Sequence, residues 1–520
     1  MTILQWFLFF LLVQVIHFLG TWKLYIKAGR KAWEAAIPIY NAVVLMKIIN
    51  RPAAWVILLF IPIVNLIMFP VIWVETARSF GKNSTLDTWL SILSLGFYLY
   101  YLNYAADPEY IEDRSLKPRT SLGEWVSAIL FAVVAATIVH NYFIQPFTIP
   151  TSSLEKTLLV GDFLFVSKLH YGARTPETTI AVPMVHDTIP VLGIKSYTNR
   201  PKLPYFRFPG FQKIEQNDIV VFNWPVDTVP YFGYRGNKSY IKPIDKKSNY
   251  VKRAVGLPGD SLAIIDGEYY INGEFLELPD RAKPQNSYLV KTKGEGFNRR
   301  YLYEHYDYTE NLYPQDKNTY VFVSLTEENA RKLRNNPNVA SIEKLLTPKD
   351  RGNQVFPSSD LGWNGDYYGP VYIPKKGATV KIDKESIPFY KRIIEVYEGS
   401  EMGVEQKISY SGDQILMNGQ PLDNYTFKQD YYYMLGDNRH NSEDSRYWGY
   451  VPENHIVGKP VFIWLSLDKY GKNFFDRIRW ERMFTTVHGK GDPVSYLSYF
   501  LIAVVIFIGF SIFKKRKKKA

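Results

Sequence analysis

The residues best suited to chemistry in this 520-residue chain fall into three clusters, at 149–162, 250–260 and 436–449. The first holds consecutive hydroxyl side chains after a proline, the second a lysine entering an apolar run, and the third a dense set of acids, amides and serines. Cysteine is absent, which excludes thiol nucleophiles, disulfides and cysteine-bound metals. The eight histidines lack a helical metal-binding spacing, so we expect neither a metal nor a cofactor.

A serine and a lysine can act together without histidine. A serine hydroxyl becomes a nucleophile when a base takes its proton. Lysine normally has a pKa of about 10.4 and is protonated, but burial disfavours the ammonium and lowers that pKa. Lys252 has the apolar neighbours of such a base, and Arg253 is expected on the opposite face of the same strand. A buried Lys252 beside a serine of the first cluster would form a Ser-Lys dyad.

Each cluster taken alone has an ordinary structural explanation. The hydroxyls fit a polar turn, and the lysine fits a strand edge that faces water. The third cluster lacks the alternating acids of a calcium loop. Ser152 is a rival nucleophile to Ser153 by residue type. Ser153-x-x-Lys156 also matches the first motif of penicillin-binding proteins, although Pro150 argues against the helix that this motif needs and no Lys-Thr-Gly follows.

Taken together and in order, the clusters resemble the type I signal peptidases. The first motif of that family is matched by Pro150-Thr-Ser-Ser153, Thr157-Leu and Gly161-Asp162, a register that favours Ser153 over Ser152. The motif Lys-Arg-x-x-Gly-x-Pro-Gly-Asp is complete at Lys252–Asp260, and Gly-Asp-Asn-x-x-x-Ser-x-Asp-Ser-Arg is complete at Gly436–Arg446. Three positions differ from the family pattern: Thr151 stands where serine is commoner, Leu154 replaces methionine, and Lys156 replaces proline. The resemblance does not cover residues 1–105.

The resemblance implies a role for each site residue. Ser153 is the expected nucleophile and Lys252 the expected general base, with Ser442 orienting the lysine amine. The backbone N–H of Ser153 and the hydroxyl of Thr151 are the expected oxyanion donors. The residues expected to shape the site without reacting are Gly436, Asp437, Asp444 and Arg446.

The activity implied is that of a membrane-bound serine endopeptidase, which removes signal peptides from exported preproteins through an acyl-enzyme. Its substrates would carry small residues at positions −1 and −3 and bind as an added strand. Membrane lipid is an expected partner, the export channel a candidate one, and nucleic acid is not expected. Two alternatives remain open: a catalytically silent membrane-tethered β-domain for binding or assembly, and a penicillin-interacting Ser-x-x-Lys acyltransferase using Lys156.

The charge distribution points to a membrane rather than to nucleic acid. The net charge is +12, of which Lys514–Lys519 supply +6 and Lys23–Arg51 supply +5, so the basic excess flanks apolar segments. A helix of about 20 apolar residues spans a bilayer. The sequence predicts five spans, with Thr88–Leu102 the shortest: Ile3–Leu19, Ala53–Val74, Thr88–Leu102, Trp125–Phe143 and Val494–Phe513.

The basic segments also predict orientation. With Lys23–Arg51 and Lys514–Lys519 both inside, the N-terminus and the region after Phe143 lie outside. No base precedes Ile3–Leu19 and four follow it by Lys31, the wrong polarity for a cleaved signal peptide. We therefore expect a multi-pass protein of the cytoplasmic membrane, with an extracytoplasmic catalytic domain and a cytoplasmic C-terminal tail.

The region after Phe143 predicts a mostly β catalytic domain with an inserted subdomain. Short β-branched and aromatic runs alternate with Asn-Gly and Asp-Gly turns at 266–267, 272–273 and 418–419. A helix is expected at Glu327–Asn335, and Pro-rich surface loops at 176–209. The expected divisions are a three-span module 1–105, a linker and anchor 106–145, a catalytic core 146–260, an inserted β-rich subdomain 261–435, the rest of the core 436–490, and a span with a basic tail 491–520.

Overall fold

The computed structural model describes residues 2–229, 240–294, 296–352 and 354–517. Lys518 and Lys519 of the predicted basic tail therefore lie outside the described residues. The chain divides into two compact units. The first comprises Met1–Phe143, Arg174–Arg207 and Val229–Lys246, and the second Ile144–Ala173, Phe208–Thr228 and Lys247–Ala520.

The helices are α1 (Ile3–Lys27), α2 (Tyr40–Ile48), α3 (Trp55–Leu58), α4 (Val64–Ser79), α5 (Thr85–Leu93), α6 (Tyr98–Tyr104), α7 (Ser121–Tyr142), α8 (Arg299–Tyr306), α9 (Glu327–Arg334), α10 (Ile387–Arg392), α11 (Ser445–Trp448) and α12 (Leu497–Lys517).

The strands are β1 (Ile144–Thr148), β2 (Asp162–Ser167), β3 (Ile219–Asn223), β4 (Asn249–Gly256), β5 (Ser261–Ile265), β6 (Glu268–Ile271), β7 (Glu274–Phe275), β8 (Gln285–Thr292), β9 (Leu312–Pro314), β10 (Thr319–Thr326), β11 (Val339–Lys344), β12 (Tyr368–Tyr372), β13 (Thr379–Lys381), β14 (Ile408–Ser411), β15 (Gln414–Met417), β16 (Gln420–Pro421), β17 (Asn424–Thr426), β18 (Tyr431–Leu435), β19 (Val451–Pro452), β20 (Ile456–Ser466) and β21 (Thr485–Thr486).

Three helices among the described residues are long and apolar enough to cross a membrane: Ile3–Lys27, Ser121–Tyr142 and Leu497–Lys514. They correspond to the first, fourth and fifth predicted spans. The five-span prediction is not confirmed, because Ala53–Val74 is divided between α3 and α4, and Thr88–Leu102 between α5 and α6. Each of these four helices is shorter than the roughly 20 residues that a bilayer requires.

Backbone geometry explains the two interruptions. Between α3 and α4, Ile63 follows Pro62 and has a φ of 70°, outside the helical range. Pro70, by contrast, lies inside α4, which continues through it. Between α5 and α6, Leu95 and Gly96 have φ values of 53° and 86°. Consecutive residues at positive φ end a right-handed helix.

The second unit is mostly β, as predicted, and its main sheet is antiparallel. It contains eight strands in the order β1-β2-β20-β3-β4-β18-β19, with β21 beside β20. Residues from the inner strands and from the chain after β1 form one apolar cluster, which includes Leu154, Leu158, Leu164, Ile219 and Val221. The region between β4 and β18 contains two four-stranded sheets, β11-β8-β10-β9 and β12-β5-β6-β7, and smaller pairings.

Local turn and helix predictions are confirmed in this unit. Asn272-Gly273 and Asn418-Gly419 connect β6 to β7 and β15 to β16, with positive φ at all four residues as two-residue hairpins require. The helix predicted at Glu327–Asn335 is α9.

The Pro-rich segment 176–209, predicted as surface loops, is more ordered than expected. In the first unit it folds back on itself through isolated antiparallel bridges, at Thr178↔Lys202, Ala181↔Tyr197 and Thr188↔Lys195. Ala181 and Tyr197 are buried. Its proline content limits regular strands, and bridges at single positions remain possible.

Candidate active site

Ser153 and Lys252 meet in the second unit. A hydrogen bond of 2.6 Å joins Lys252 Nζ to Ser153 Oγ. Ser153 lies in a single turn of 3₁₀ helix, Ser152–Leu154, and Lys252 lies in β4 opposite Val220 of β3. Lys252 is only 3% exposed, so it is not an edge lysine facing water. The position of Lys252 in β4 thus places its amine beside the serine hydroxyl.

Burial sets the protonation of this lysine. Removal from water lowers the pKa of Lys252 from 10.5 to about 8. Nearby carboxylates, Asp444 first, act in the opposite direction because they favour the ammonium. The loss of hydration outweighs their attraction. A substantial fraction of neutral amine therefore exists slightly above neutral pH, as a general base needs.

The loop after β18 holds the serine turn through its asparagines. The backbone N–H of Asn438 donates to the Ser153 carbonyl over 3.1 Å, and its side chain donates to the Ser152 carbonyl over 3.0 Å. Asn441 Nδ2 donates to Ser152 Oγ over 3.0 Å. The Ser152 hydroxyl is therefore engaged by Asn441, whereas Lys252 contacts Ser153. This geometry separates the two rival serines.

Asp437 ties the three clusters together. It accepts hydrogen bonds from Arg253 Nε and Nη2 at 2.7 and 2.6 Å, and from the Thr157 hydroxyl at 2.6 Å. Burial acts to raise the pKa of Asp437, but the Arg253 guanidinium and its hydrogen bonds hold that pKa below its usual value. Arg253 follows Lys252 in β4, and the two side chains have different partners, as the alternation of a strand predicts.

Asp444 and Arg446 form a second buried ion pair. Arg446 Nε and Nη2 each donate to Asp444 over 2.8 Å, and both residues are almost fully buried. Asp444 also accepts from the backbone N–H of Gly436 over 3.1 Å. Burial acts to raise the pKa of Asp444, and Arg446 holds it below its usual value. The pair fixes the loop on both sides of Ser442.

Gly436 is a position of close approach. A Cβ on Gly436 would stand 2.2 Å from Ser442 Oγ and 2.6 Å from the Ser153 carbonyl oxygen. Both contacts are too short for any side chain. Glycine therefore allows the loop after β18 to pack directly on the backbone of the serine turn.

Ser442 and Thr151 have hydroxyls that the contacts at the serine turn leave available. Ser442 Oγ is buried without a hydrogen-bond partner among the described residues, so the expected bond to Lys252 is not formed here. Thr151 is exposed at the start of the 3₁₀ turn, and its hydroxyl caps no backbone N–H there. Thr151 lies two residues before Ser153 in the chain. Ser442 Oγ and the Ser153 carbonyl oxygen both lie next to Gly436.

Lys156 is neither a solvated charge nor a partner of Ser153. Its Nζ lies 2.8 Å from Asp307 Oδ2, and its side chain is only 11% exposed. The helix that a Ser-x-x-Lys site would need is absent here, since the 3₁₀ turn ends at Leu154.

Gln285 is a site residue that sequence reasoning missed. It lies at the start of β8, far from the motifs in sequence. Its side chain donates to the Glu155 carbonyl over 2.6 Å, and its backbone bonds to Asp437 O and Arg439 N, each at 2.9 Å. Only the fold brings it there. Asn438 and Asn441 had a signal, since both lie inside the third motif.

Comparison with known proteins identifies similar sequences over this region. The family model described as signal peptidase, peptidase S26, matches residues 122–333 and 373–465, more than half of the chain. A second model, for a family of unknown function, matches residues 33–113.

Three curated relatives named signal peptidase I match this chain over most of their own length. The protein from Buchnera aphidicola subsp. Schizaphis graminum is 26% identical over 66% of this chain and 76% of its own. That from Haemophilus influenzae is 24% identical over 72% and 79%. That from Helicobacter pylori is 24% identical over 70% and 91%.

Substitution of Gly436 tests the close approach. Gly436→Ala should lower the cleavage rate about 100-fold, the cost of a displacement of roughly 1 Å at a reacting group, because the new methyl pushes on Ser442 and the Ser153 carbonyl. The matched control is Gly294→Ala, whose nearest neighbouring atom is 3.6 Å away. Steady-state kinetics of both variants are the measurement, and wild-type kinetics for Gly436→Ala would contradict the geometry.

Asp437→Ala tests the buried ion pair. Leaving Arg253 buried and unpaired should reduce the free energy of unfolding by about 3–5 kcal/mol, measured by denaturant titration in detergent. The control is Glu304→Ala, which removes an exposed pair with Arg300 and should leave stability nearly unchanged. If the two substitutions reduce the free energy of unfolding equally, the buried Asp437 pair contributes no more to stability than an exposed pair.

Proposed function

The chain belongs to the signal peptidase S26 family, and we propose that it removes signal peptides from exported preproteins with Ser153 as nucleophile and Lys252 as general base. Membership makes it a membrane serine endopeptidase. The observation that carries the residue assignment is the 2.6 Å contact between Lys252 Nζ and Ser153 Oγ, together with the burial of the lysine.

The proposed reaction has two halves. The Ser153 hydroxyl gives its proton to neutral Lys252 while Oγ bonds to the scissile carbonyl carbon. When the C–N bond breaks, Lys252 returns the proton to the leaving amine, which is the new N-terminus of the mature protein. The signal peptide remains as an ester on Ser153. Water then gives a proton to Lys252 while its oxygen bonds to the ester carbonyl carbon. When the bond from that carbon to Ser153 Oγ breaks, Lys252 returns the proton to Oγ, so the signal peptide leaves as a carboxylic acid and both residues are restored.

Thr151 and Ser442 take supporting roles in this proposal. An oxyanion forms on the substrate carbonyl in both halves and needs hydrogen-bond donors placed in advance. The exposed hydroxyl of Thr151 precedes the serine turn, where such an oxyanion would lie beside the Ser153 N–H. The unpartnered Ser442 hydroxyl is available to hold the Lys252 amine once Ser153 has been acylated. Gly436, Asp437, Asp444 and Arg446 shape the site and do not react.

The proposed substrate is a preprotein with small residues at −1 and −3, bound as an added strand. Lipid contacts follow from the membrane helices, and the export channel remains a candidate partner.

We also propose that the parts of the chain predicted from the sequence are functional units. Their bounds are 1–105, 106–145, 146–260, 261–435, 436–490 and 491–520, and 1–105 is an added membrane module.

Orientation is also part of the proposal. If α1, α7 and α12 are the spans, Lys23–Arg51 and the tail from Lys514 again lie on one side. The domain between α7 and α12 then lies on the other side, and the positive-inside rule makes that side extracytoplasmic. Removing two of the five predicted spans leaves this parity unchanged, so the orientation of the catalytic domain does not depend on them.

Cleavage of a purified preprotein by the detergent-solubilised enzyme tests the assignment. Ser153→Ala and Lys252→Ala should each reduce cleavage about 10⁴-fold or more, because the two groups act as one unit. Ser152→Ala should retain activity, since its hydroxyl faces Asn441.

Three outcomes would contradict the proposal. Activity in Ser153→Ala would exclude the nucleophile. Activity in Lys252→Ala, with Ser153→Ala inactive, would exclude Lys252 as the general base. A folded wild-type enzyme that cleaves no preprotein would favour the silent binding domain.

A further inference from the structure

Lys156 occupies a strained turn directly after the nucleophile. The Thr157 N–H donates to the Leu154 carbonyl over 3.1 Å. Between them, Glu155 has φ −50° and ψ 150°, and Lys156 has φ 69°. These angles correspond to a type II β-turn, which favours glycine or asparagine at the position of Lys156. Proline, whose ring fixes φ near −65°, cannot adopt this conformation.

Contacts from the chain around β8 and α8 hold this turn from outside. Lys156 Nζ forms an ion pair with Asp307 Oδ2 at 2.8 Å and also donates to the Asp307 carbonyl. Asp307 ends α8, where helix carbonyls attract a cation. Gln285 fixes the neighbouring residue through the Glu155 carbonyl. Two consecutive residues of the turn are thus bound to side chains or carbonyls far away in sequence.

We propose that Lys156 is a positioning residue for Ser153, which acts through its ion pair with Asp307. The pair stabilises a left-handed residue two peptide units after Leu154 and so fixes the direction in which the 3₁₀ turn presents the Ser153 hydroxyl to Lys252. The proposal rests on the proposed function, because it takes Ser153 as the nucleophile. Under this proposal the segment between β4 and β18 supports catalysis, because Asp307 and Gln285, which hold the turn, belong to that segment.

The structure argues against two simpler explanations of Lys156. A surface lysine would be mostly exposed, whereas this side chain is 11% exposed and its partner carboxylate 63% exposed. A second general base would contact Ser153, yet the hydrogen bond to Ser153 Oγ comes from Lys252. What remains is a cation on a largely covered side chain, and its ion pair with Asp307 holds the turn.

Substitutions at Lys156 and Asp307 in the full-length, detergent-solubilised enzyme test this role. Lys156→Met keeps the aliphatic stem and removes the charge, and Asp307→Asn removes the partner charge. Lys156→Arg keeps a cation of similar reach. The double change Lys156→Asp with Asp307→Lys reverses the pair. The matched control is Glu268→Gln, which neutralises one partner of an ion pair with Lys344 in the same region, away from the turn.

Lys156→Met and Asp307→Asn should each lower kcat about tenfold with KM unchanged, less than the roughly hundredfold cost of a 1 Å misplacement. Lys156→Arg should recover most of kcat, and the reversed pair should exceed either Lys156→Asp or Asp307→Lys alone. Glu268→Gln should match the wild type. The midpoint of the pH profile should be the same in all of them, because Lys252 is untouched.

Wild-type kcat in both Lys156→Met and Asp307→Asn would overturn the inference. A shifted pH midpoint in Lys156→Met would also overturn it, because Lys156 would then take part in proton transfer. If the double variant has no higher kcat than Lys156→Asp or Asp307→Lys, the ion pair is not the cause of the effect on kcat. Ser153→Ala in the same assay keeps the two claims separate, since activity without Ser153 refutes the proposed function itself.

Discussion

The structure depends on removing one lysine amine from water beside one serine hydroxyl. Lys252 is 3% exposed and lies 2.6 Å from Ser153 Oγ. A buried ammonium is costly, and the protein meets that cost by favouring the neutral amine. The central strands β3, β4 and β18 create the apolar surroundings, and the loop after β18 closes over the serine turn. The base is therefore a product of packing, and its amine is hydrogen-bonded to Ser153.

Two carboxylates near Lys252 explain why two arginines are buried close to this lysine. Asp437 and Asp444 each favour the charged form of Lys252, so free carboxylates would work against the desolvation. Each is instead paired through two hydrogen bonds, to Arg253 and to Arg446 respectively. The arginines balance those charges and use the carboxylates to fix the loop. Burial of Lys252 can then dominate its pKa.

Prediction from the sequence succeeded where a feature depends on a short-range pattern or on family motifs in a fixed order. The β-rich domain, the Asn-Gly hairpins, helix α9 and three of the membrane helices all follow from short-range patterns. The meeting of Ser153 with Lys252 was expected from three motifs in fixed order. The division of Ala53–Val74 was not predicted, because the break at Ile63 is a backbone conformation that hydropathy does not report. Gln285 and Asp307 were missed because only tertiary folding brings them to the serine turn.

The pKa of Lys252 in the working enzyme tests the central claim most directly. Cleavage should be measured from pH 6 to pH 10 under conditions where kcat/KM is obtained. Because the neutral amine is the active form, activity should rise with pH through a midpoint at about 8. Below it, activity should fall about tenfold for each pH unit. A midpoint near 10.5, the ordinary value for lysine, or a profile that does not change with pH, would contradict an activated, desolvated Lys252.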